Sequence, residues 1–147
     1  MSAPPSTVTA PVVTGLHHLS LTVTDLDASL DWYLKVFRTD HDDTQFPHYG
    51  REDTGYGVLL TVPDSGLAIG LHKNVCNRGQ AFSETRTGLD HASFNVASRT
   101  DLEAWTIWLD ELGVPHTGIR DLTEPFVYST VVFRDPDGIQ LELFALG

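Results

Sequence analysis

The chain contains two short segments in which apolar and polar residues alternate in the same way. They are GLHHLSLTV at 15–23 and GLDHASFNV at 88–96, and five of their nine positions are identical at a constant offset of 73 residues. Alternation with a period of two is typical of a β-strand with one buried face. A segment repeated at a fixed offset predicts two copies of one structural unit.

Each repeated strand is followed by the pattern of an amphipathic helix. Thr24-Asp25-Leu26-Asp27 and Ser98-Arg99-Thr100-Asp101 each place a capping residue three positions before a carboxylate, which is a typical helix start. Gly113 and Pro115 predict the end of the second helix. Apolar residues recur on one helix face at Leu26, Leu30, Tyr33, Leu34 and Phe37, and again at Leu102, Trp105, Leu109 and Leu112.

Two predicted hairpins complete the repeat. The first joins strands 56–62 and 67–72 through Pro63-Asp64-Ser65-Gly66, and the second joins 129–135 and 139–144 through Pro136-Asp137-Gly138. In this alignment Gly70 corresponds to Glu142. Each half is therefore predicted to be β-α-β-β-β.

The predicted fold class is α+β, with two tandem βαβββ modules that form a curved, partly open, barrel-like sheet with helices outside. Residues 1–13 are expected to be a flexible leader, because they combine three prolines with small polar residues and have no signal-peptide core. A single domain is predicted for 14–147, divided into module one (14–73), a connector (74–87) and module two (88–147).

Strand alternation places a polar set on the face opposite the helices. His18, His91 and Glu142 converge on that face if the two modules pair around a pseudo-twofold axis. Two imidazoles and a carboxylate suit Fe(II), Mn(II), Ni(II) or Zn(II), and the sequence does not choose among these metals. The alternative is a hydrogen-bonded network that holds no metal. His17 is rejected as a ligand, because the repeat pairs it with Asp90 and its side chain should face away.

Composition narrows the possible partners. Nine Lys and Arg against twenty Asp and Glu give a formal charge of −11, which repels phosphate backbones and anionic lipid surfaces. Neither nucleic acid nor membrane is therefore expected as a partner. Cys76 is the only cysteine, so an intramolecular disulfide is impossible. The chain is expected to be soluble and cytoplasmic.

Three motifs resemble the vicinal-oxygen-chelate superfamily. They are Leu-x-His-x-x-Leu-x-Val-x-Asp-Leu from Leu16, the second Leu-x-His strand, and Phe133-Arg134-Asp135-Pro136-Asp137-Gly138 followed by Leu141-Glu142-Leu143. That superfamily includes glyoxalase I, extradiol dioxygenases, methylmalonyl-CoA epimerase, and fosfomycin- and bleomycin-resistance proteins. The resemblance covers roughly residues 14–145. It implies a divalent metal that is chelated by neighbouring oxygens of a small substrate, and a homodimer.

Two departures from the superfamily pattern bear on the reaction. The fourth ligand position, usually Glu or Gln in glyoxalase I and the epimerase, falls on Gly70. This leaves a set of two His and one carboxylate, as in the extradiol dioxygenases. The tyrosine that those enzymes usually carry falls at Val132, which counts against ordinary ring cleavage.

Further candidates lie near the predicted ligands. His72 shares the face of Gly70 and is a candidate acid–base group, a replacement ligand, or an unligated residue of the pocket wall. Tyr128 either orients the substrate or donates a proton, or else it is a packed strand aromatic. The opening of the curved sheet is expected to be lined by Phe46, Tyr49, Tyr56 and Phe126. In contrast, His41, His48 and His116 are expected to be exposed.

Two functions follow, from different classes. The first is a metal-dependent glyoxalase- or dioxygenase-like enzyme that performs lyase or isomerase, epimerase or dioxygenase chemistry. The second is a drug-sequestering protein of the bleomycin-resistance type, to which the acidic charge is suited. A structural or regulatory protein with a vestigial site is a third possibility. The path of residues 74–87 decides whether His18 meets His91 and Glu142 within one chain or across a dimer.

Overall fold

The computed structural model describes residues 10–147, so most of the expected leader lies outside the described residues. Residues 10–13 are exposed and form no helix or strand. None of the described helices is long and apolar enough to cross a bilayer.

Module one has the predicted β-α-β-β-β order with an extra short strand. Strand β1 (His18–Thr22) is followed by helix α1 (Leu26–Phe37), and β4 (Gly55–Thr61) and β5 (Ala68–Asn74) form the hairpin. The short strands β2 (Asp40–His41) and β3 (Phe46–Pro47) both pair with β4, and a 3₁₀ turn at Glu52–Thr54 precedes it. The sheet order is β1-β5-β4-β2, with β1 parallel to β5.

Module two repeats this order. Strand β6 (Ala92–Asn95) is followed by helix α2 (Arg99–Glu111), β7 (Arg120–Leu122), and the hairpin of β8 (Tyr128–Arg134) and β9 (Gln140–Leu146). The sheet order is β6-β9-β8-β7, with β6 parallel to β9. The two modules form two separate sheets, and the described strands do not close into a barrel.

The register of the two sheets confirms the internal alignment. Ser20 pairs with Gly70 in the first sheet, and Ser93 pairs with Glu142 in the second. Gly70 and Glu142 therefore occupy equivalent positions of the two modules. The tandem α+β architecture is confirmed.

Helix capping matches the sequence in one module and shifts by one residue in the other. Ser98 caps α2 by accepting a hydrogen bond from the Asp101 amide. The cap of α1 is Asp25, which accepts from the Ala28 amide. Thr24 instead donates to the Asp137 carboxylate through its amide and its hydroxyl. Thr24 therefore links the start of α1 to module two.

The two modules share one hydrophobic core through their helices. Phe37 at the end of α1 contacts Phe94 of β6 and Phe133 of β8, with ring centroids 5.1 and 6.1 Å apart. The buried Tyr33 hydroxyl donates to Asp135 Oδ2 at 2.9 Å. Trp108 of α2 donates its indole N–H to the Val36 carbonyl at 2.9 Å. Helix α1 therefore packs against its own sheet and also against the core side of module two.

The shared core fixes the direction of both polar faces. Leu21 of β1 and Ala92 of β6 face the core, so the alternate residues lie on the opposite side of each sheet. These alternate residues are exposed in both edge strands: His18, Ser20 and Thr22 in β1, and His91 and Ser93 in or beside β6. Each sheet thus presents its own polar face away from the core.

Candidate metal and substrate site

His91 and Glu142 form a preorganised pair on the polar face of module two. The distance from His91 Nε2 to Glu142 Oε1 is 3.9 Å. His91 Nδ1 donates to Asp90 Oδ1 at 2.6 Å, and the Ser93 hydroxyl donates to Glu142 Oε1 at 2.7 Å. Both candidate ligands are therefore oriented by a neighbouring side chain.

The chemistry of this pair fits a divalent metal ion. The bond to Asp90 fixes the His91 proton on Nδ1 and leaves the Nε2 lone pair free, as in carboxylate–histidine–metal arrangements. Metal bonds of about 2.0–2.2 Å place two ligand atoms roughly 3–3.5 Å apart. The observed 3.9 Å between Nε2 and Oε1 needs only a small closure to reach that spacing. Glu142 is also partly shielded, with 19% side-chain exposure.

His18 lies apart from this pair. It is exposed on β1, and its Nδ1 is 2.8 Å from Nδ1 of His17. Within residues 10–147, no three side chains of His, Cys, Asp or Glu come together as a metal-binding group. One chain therefore brings together two of the three predicted ligands, His91 and Glu142, and holds the third on the other sheet.

Gly70 occupies the position that corresponds to Glu142, and its surroundings differ. A β-carbon at residue 70 would lie 2.3 Å from the Ser20 hydroxyl. In module two the equivalent serine, Ser93, hydrogen-bonds the carboxylate instead. Ser20 thus fills the space in which a side chain at position 70 would begin, so module one offers no fourth ligand at this position.

A pair of imidazoles lies on the polar face of module one. His72 Nδ1 is 3.0 Å from His48 Nε2, and His48 Nδ1 is 2.8 Å from the Thr54 hydroxyl. The two rings are nearly parallel, with planes inclined by 16° and centroids 5.2 Å apart. Partial burial, together with the neighbouring His48 and His18, lowers the pKa of His72, which favours its neutral form.

A cavity of about 340 Å³ adjoins these imidazoles. It lies between the ends of β1 and β5 and the loop after β3, and among the described residues that line it Arg51 is the one cationic side chain. The polar and charged side chains that line it are Ser20, Thr22, His48, Arg51, His72 and Asn74. A volume of this order accommodates a small organic molecule.

The predicted aromatic lining divides between the two modules. Tyr49 is exposed and borders the cavity of module one, and Phe46 is partly exposed on β3. Phe126 contacts Tyr128, and Tyr128 stacks on Phe144 with centroids 5.1 Å apart. Since Tyr128, Phe144 and Glu142 share one face of the β8–β9 hairpin, an aromatic wall flanks Glu142.

Two expectations about side-chain positions are corrected. Tyr56 packs against the hydrophobic core, because it lies on the same strand face as Val58 and Leu60, opposite to His72. The spacing of two residues between Tyr56, Val58 and Leu60 is the sequence signal that could have assigned Tyr56 to the core face. The three histidines expected to be exposed are half-buried: His41, His48 and His116.

Of these three histidines, His48 is the functional candidate, because it contacts His72, and the sequence pattern did not indicate it. His48 is drawn inward by β3, since Pro47 pairs with Tyr56 of β4 and carries the next residue over the sheet. No periodicity marks a strand of two residues. His116 is held differently, by its contact with Asp110 at 3.1 Å.

Comparison with known proteins places the chain in a family. Residues 15–143 match the family described as the Glyoxalase/Bleomycin resistance protein/Dioxygenase superfamily. The chain belongs to this superfamily. The match spans both modules and includes His18, His91 and Glu142.

Two relatives named as metallothiol transferases are similar over most of the chain. The metallothiol transferase FosB of Staphylococcus epidermidis is 27% identical over 133 residues, which cover 89% of this chain and 81% of that protein. FosB of Shouchella clausii is 26% identical over 132 residues, which cover 90% and 80% of the two chains.

Solved structures agree with the fold. A glyoxylase/bleomycin resistance protein/dioxygenase domain from Frankia sp. EAN1pec is 36% identical, with a TM-score of 0.78 and coverage of 92% of this chain and 99% of that one. The fosfomycin-resistance protein FosX of Listeria monocytogenes, solved with Mn(II) and 1S,2S-dihydroxypropylphosphonic acid, has a TM-score of 0.65 at 19% identity. It covers 92% of this chain and 95% of its own, and at that identity it supports the fold alone.

Proposed function

We propose that this protein is a divalent-metal-dependent enzyme whose site is shared between two copies of the chain. His18 of one copy joins His91 and Glu142 of the other to hold Fe(II), Mn(II), Ni(II) or Zn(II). The substrate is a small organic molecule that binds through neighbouring oxygen atoms. The observation that carries the proposal is the His91–Glu142 pair, which Asp90 and Ser93 orient and which has no third ligand among residues 10–147 of its own chain.

The packing of the modules supports a site between copies. Because both sheets turn their apolar faces to one shared core, His18 and the His91–Glu142 pair lie on faces that do not meet within the chain. Strands β1 and β6 are both at sheet edges. Exposed edge strands are natural surfaces for association with another chain. A twofold dimer that brings β1 of one copy beside β6 of the other completes two equivalent sites.

The residues of the site have distinct roles in this proposal. A bound divalent ion supplies Lewis-acid stabilisation of negative charge that develops on the substrate oxygens. Asp90 holds the His91 ring in the tautomer that leaves Nε2 available. Ser93 fixes the orientation of Glu142. Tyr128 and Phe144 form an apolar wall beside Glu142 that restricts water and positions a substrate.

The relatives suggest which reactions to test first. Two proteins at 26–27% identity are named metallothiol transferases, so metal-dependent addition of a thiol to a small electrophile heads the list. Isomerisation, lyase chemistry, epimerisation and dioxygenation follow, the last because a set of two His and one carboxylate leaves positions open for substrate and O₂.

Mixing two inactive variants tests the shared site directly. His18→Ala and Glu142→Ala homodimers each lack a ligand in both sites and are expected to bind no metal. A mixed dimer contains one complete site, made of His18 from the Glu142→Ala chain and His91 with Glu142 from the His18→Ala chain. Refolding the two variants together should therefore restore about one metal ion per mixed dimer.

The control is a chain that carries both substitutions, which restores nothing when mixed with itself. Metal content is measured by elemental analysis, and assembly by sedimentation velocity. A mixture that binds no metal, while the unaltered protein binds one ion per chain, contradicts a site between copies. An unaltered protein that binds none of the four metals contradicts the enzyme proposal and favours ligand sequestration.

A further inference from the structure

A chain of hydrogen bonds connects the Arg51 carbonyl, Thr54, His48 and His72, and the Arg51 carbonyl sets the direction of every bond in it. The Thr54 hydroxyl donates to the Arg51 carbonyl oxygen at 2.7 Å, and a carbonyl oxygen only accepts. Thr54 has one hydroxyl proton, which this bond uses. The hydroxyl must therefore accept its second hydrogen bond, at 2.8 Å, from Nδ1–H of His48.

The proton position on the second imidazole depends on that of the first. A neutral His48 with its proton on Nδ1 has an acceptor lone pair on Nε2. The 3.0 Å bond between His48 Nε2 and His72 Nδ1 then requires that His72 donates, so its proton is on Nδ1. A neutral His72 is left with a free lone pair on Nε2, the atom that acts as a base.

The strand beneath His72 leaves room for this arrangement. His72 pairs with Gly57, and a β-carbon at residue 57 would lie 2.5–2.8 Å from three atoms of the His72 ring. The ring therefore lies over Gly57 in space that no other residue type would leave. The same ring borders the cavity of about 340 Å³ whose wall also carries Arg51.

We propose that His72 accepts a proton through Nε2 from a protic group of the ligand in this cavity, and that His48 and Thr54 are positioning residues that hold its tautomer. This inference rests on the proposed function and identifies the residue that accepts a proton in the proposed enzyme. The ligand class is a small molecule with a weakly acidic O–H, S–H or activated C–H group. In the step, the ligand bond to hydrogen breaks, its electron pair stays on the ligand, and the proton forms a new bond to Nε2.

The hydrogen-bond chain orients His72 and does not conduct the proton further. It ends at the Arg51 carbonyl, which cannot take up a proton at neutral pH. The imidazolium that forms on His72 keeps its Nδ1–H bond to His48 and returns the Nε2 proton to the product. The lowered pKa of His72 agrees with a group that is neutral before the step.

The tautomer is measured by long-range ¹H–¹⁵N NMR of metal-free protein labelled at histidine, with His72 assigned from His72→Gln. We expect pyrrole-type nitrogen at Nδ1 and pyridine-type nitrogen at Nε2. Thr54→Val keeps the shape of the side chain but removes the acceptor, and His48→Phe removes the partner imidazole. Both variants should shift His72 toward the Nε2–H form that free histidine side chains prefer. His41→Gln is the control and should leave the His72 signals unchanged.

A proton on Nε2 in the unaltered protein overturns the proposal, and so does a His72 tautomer that neither variant changes. Because the spectra are recorded without metal, their outcome is independent of whether His18, His91 and Glu142 bind an ion. Gly57→Ala gives a second arm, since it displaces the ring without removing any hydrogen-bonding group. Gly57→Ala should shift His72 toward the Nε2–H form, as Thr54→Val and His48→Phe do.

Availability of the lone pair is tested with diethyl pyrocarbonate, an electrophile that acylates unprotonated imidazole nitrogen. Peptide mass spectrometry should find His72 acylated in the unaltered protein, and faster than the shielded His116, whose side chain is 11% exposed. Acylation of His72 that is no faster than that of His116 overturns access from the cavity. Metal binding by His72→Gln that matches the unaltered protein separates this role from that of a replacement ligand.

Discussion

The polar faces of the two modules start from one repeated pattern and carry different chemistry. In module two, Glu142 and His91 form a pair of metal-binding type, flanked by the stacked Tyr128 and Phe144. In module one, the position of Glu142 is Gly70, and the position of Phe144 is His72, which pairs with a second imidazole. Two differences in the last strand thus separate a face that carries a carboxylate from a face that carries paired imidazoles.

In the proposed dimer the two faces would be complementary. A divalent ion held by His91 and Glu142 would supply Lewis-acid stabilisation to a substrate that loses a proton. A neutral imidazole supported by a hydrogen-bond partner accepts such a proton. Neither face alone has both groups, so the proposed enzyme needs the faces of two copies together.

Removing the carboxylate of module two is expected to have the largest effect. Glu142→Gln keeps the size of the side chain and an oxygen that accepts from Ser93, but loses the anionic ligand. Metal affinity should fall by more than the roughly 10–100-fold that outer-shell substitutions cause, as measured by titration calorimetry. Glu103→Gln, on the outer surface of α2, is the control. An unchanged affinity in Glu142→Gln contradicts the assignment of Glu142.

Removing the base of module one should affect turnover and leave metal binding intact. Once a substrate is found, His72→Gln is expected to lower kcat by about 10²–10⁴-fold, the usual contribution of general acid–base catalysis. Metal content should equal that of the unaltered protein. His41→Gln controls for loss of a half-buried histidine in the same module. A kcat within about twofold of normal, judged against the usual range for such groups, is inconsistent with the proposed role.

The partner of His91 tests whether module two is preorganised. Asp90→Asn retains an acceptor oxygen but removes the charge that orients His91, so metal affinity should fall by about 10–100-fold. Asp110→Asn is a matched control, because Asp110 contacts His116 at 3.1 Å away from both faces. Equal effects of the two substitutions on metal affinity speak against a specific role for Asp90.

The hydrogen bond between Tyr33 of module one and Asp135 of module two is expected to contribute to stability. Tyr33→Phe removes the buried hydrogen bond to Asp135, a carboxyl group whose pKa is raised by burial. The free energy of unfolding should fall by about 1.5–3 kcal/mol, as for hydrogen bonds to charged groups. Tyr56→Phe, for which no hydroxyl hydrogen bond is found among the described residues, should change it by less than about 0.5 kcal/mol. Urea unfolding measures the free energy of unfolding of both variants. Equal losses in Tyr33→Phe and Tyr56→Phe contradict a stabilising role for the Tyr33–Asp135 hydrogen bond.

The smallest effect concerns pH. The pKa of His72 is lowered in the folded protein from its usual 6.5, so the unfolded chain takes up a proton more readily. His72 therefore contributes stability at neutral pH that is lost as the pH falls below about 6.5 toward the folded pKa. His72→Gln should show a weaker loss of unfolding free energy over this range than His41→Gln. A steeper loss in His72→Gln has the wrong sign for this account.

Much of the fold follows from local pattern, and the candidate site follows from it only in part. The alignment of Gly70 with Glu142 was readable because the register of both hairpins follows from strand alternation. Ser98 was readable as a cap because its bond to Asp101 spans three residues. Thr24 was not, since its hydroxyl and amide bind Asp137, which is 113 residues away.

His48 was missed for a similar reason, because a two-residue strand without periodicity places it against His72.

The sequence by itself determined which residues share a face: strand alternation sets His18 and Ser20 against Leu21, and Glu142 against Leu141 and Leu143. It did so because the direction of a side chain in a strand depends only on its neighbours in the chain. Only the tertiary structure decided that the two polar faces lie apart. That outcome depends on α1 packing against Phe94 and Phe133 of the other module. Burial of a common apolar surface is a long-range, non-directional effect that no local pattern records.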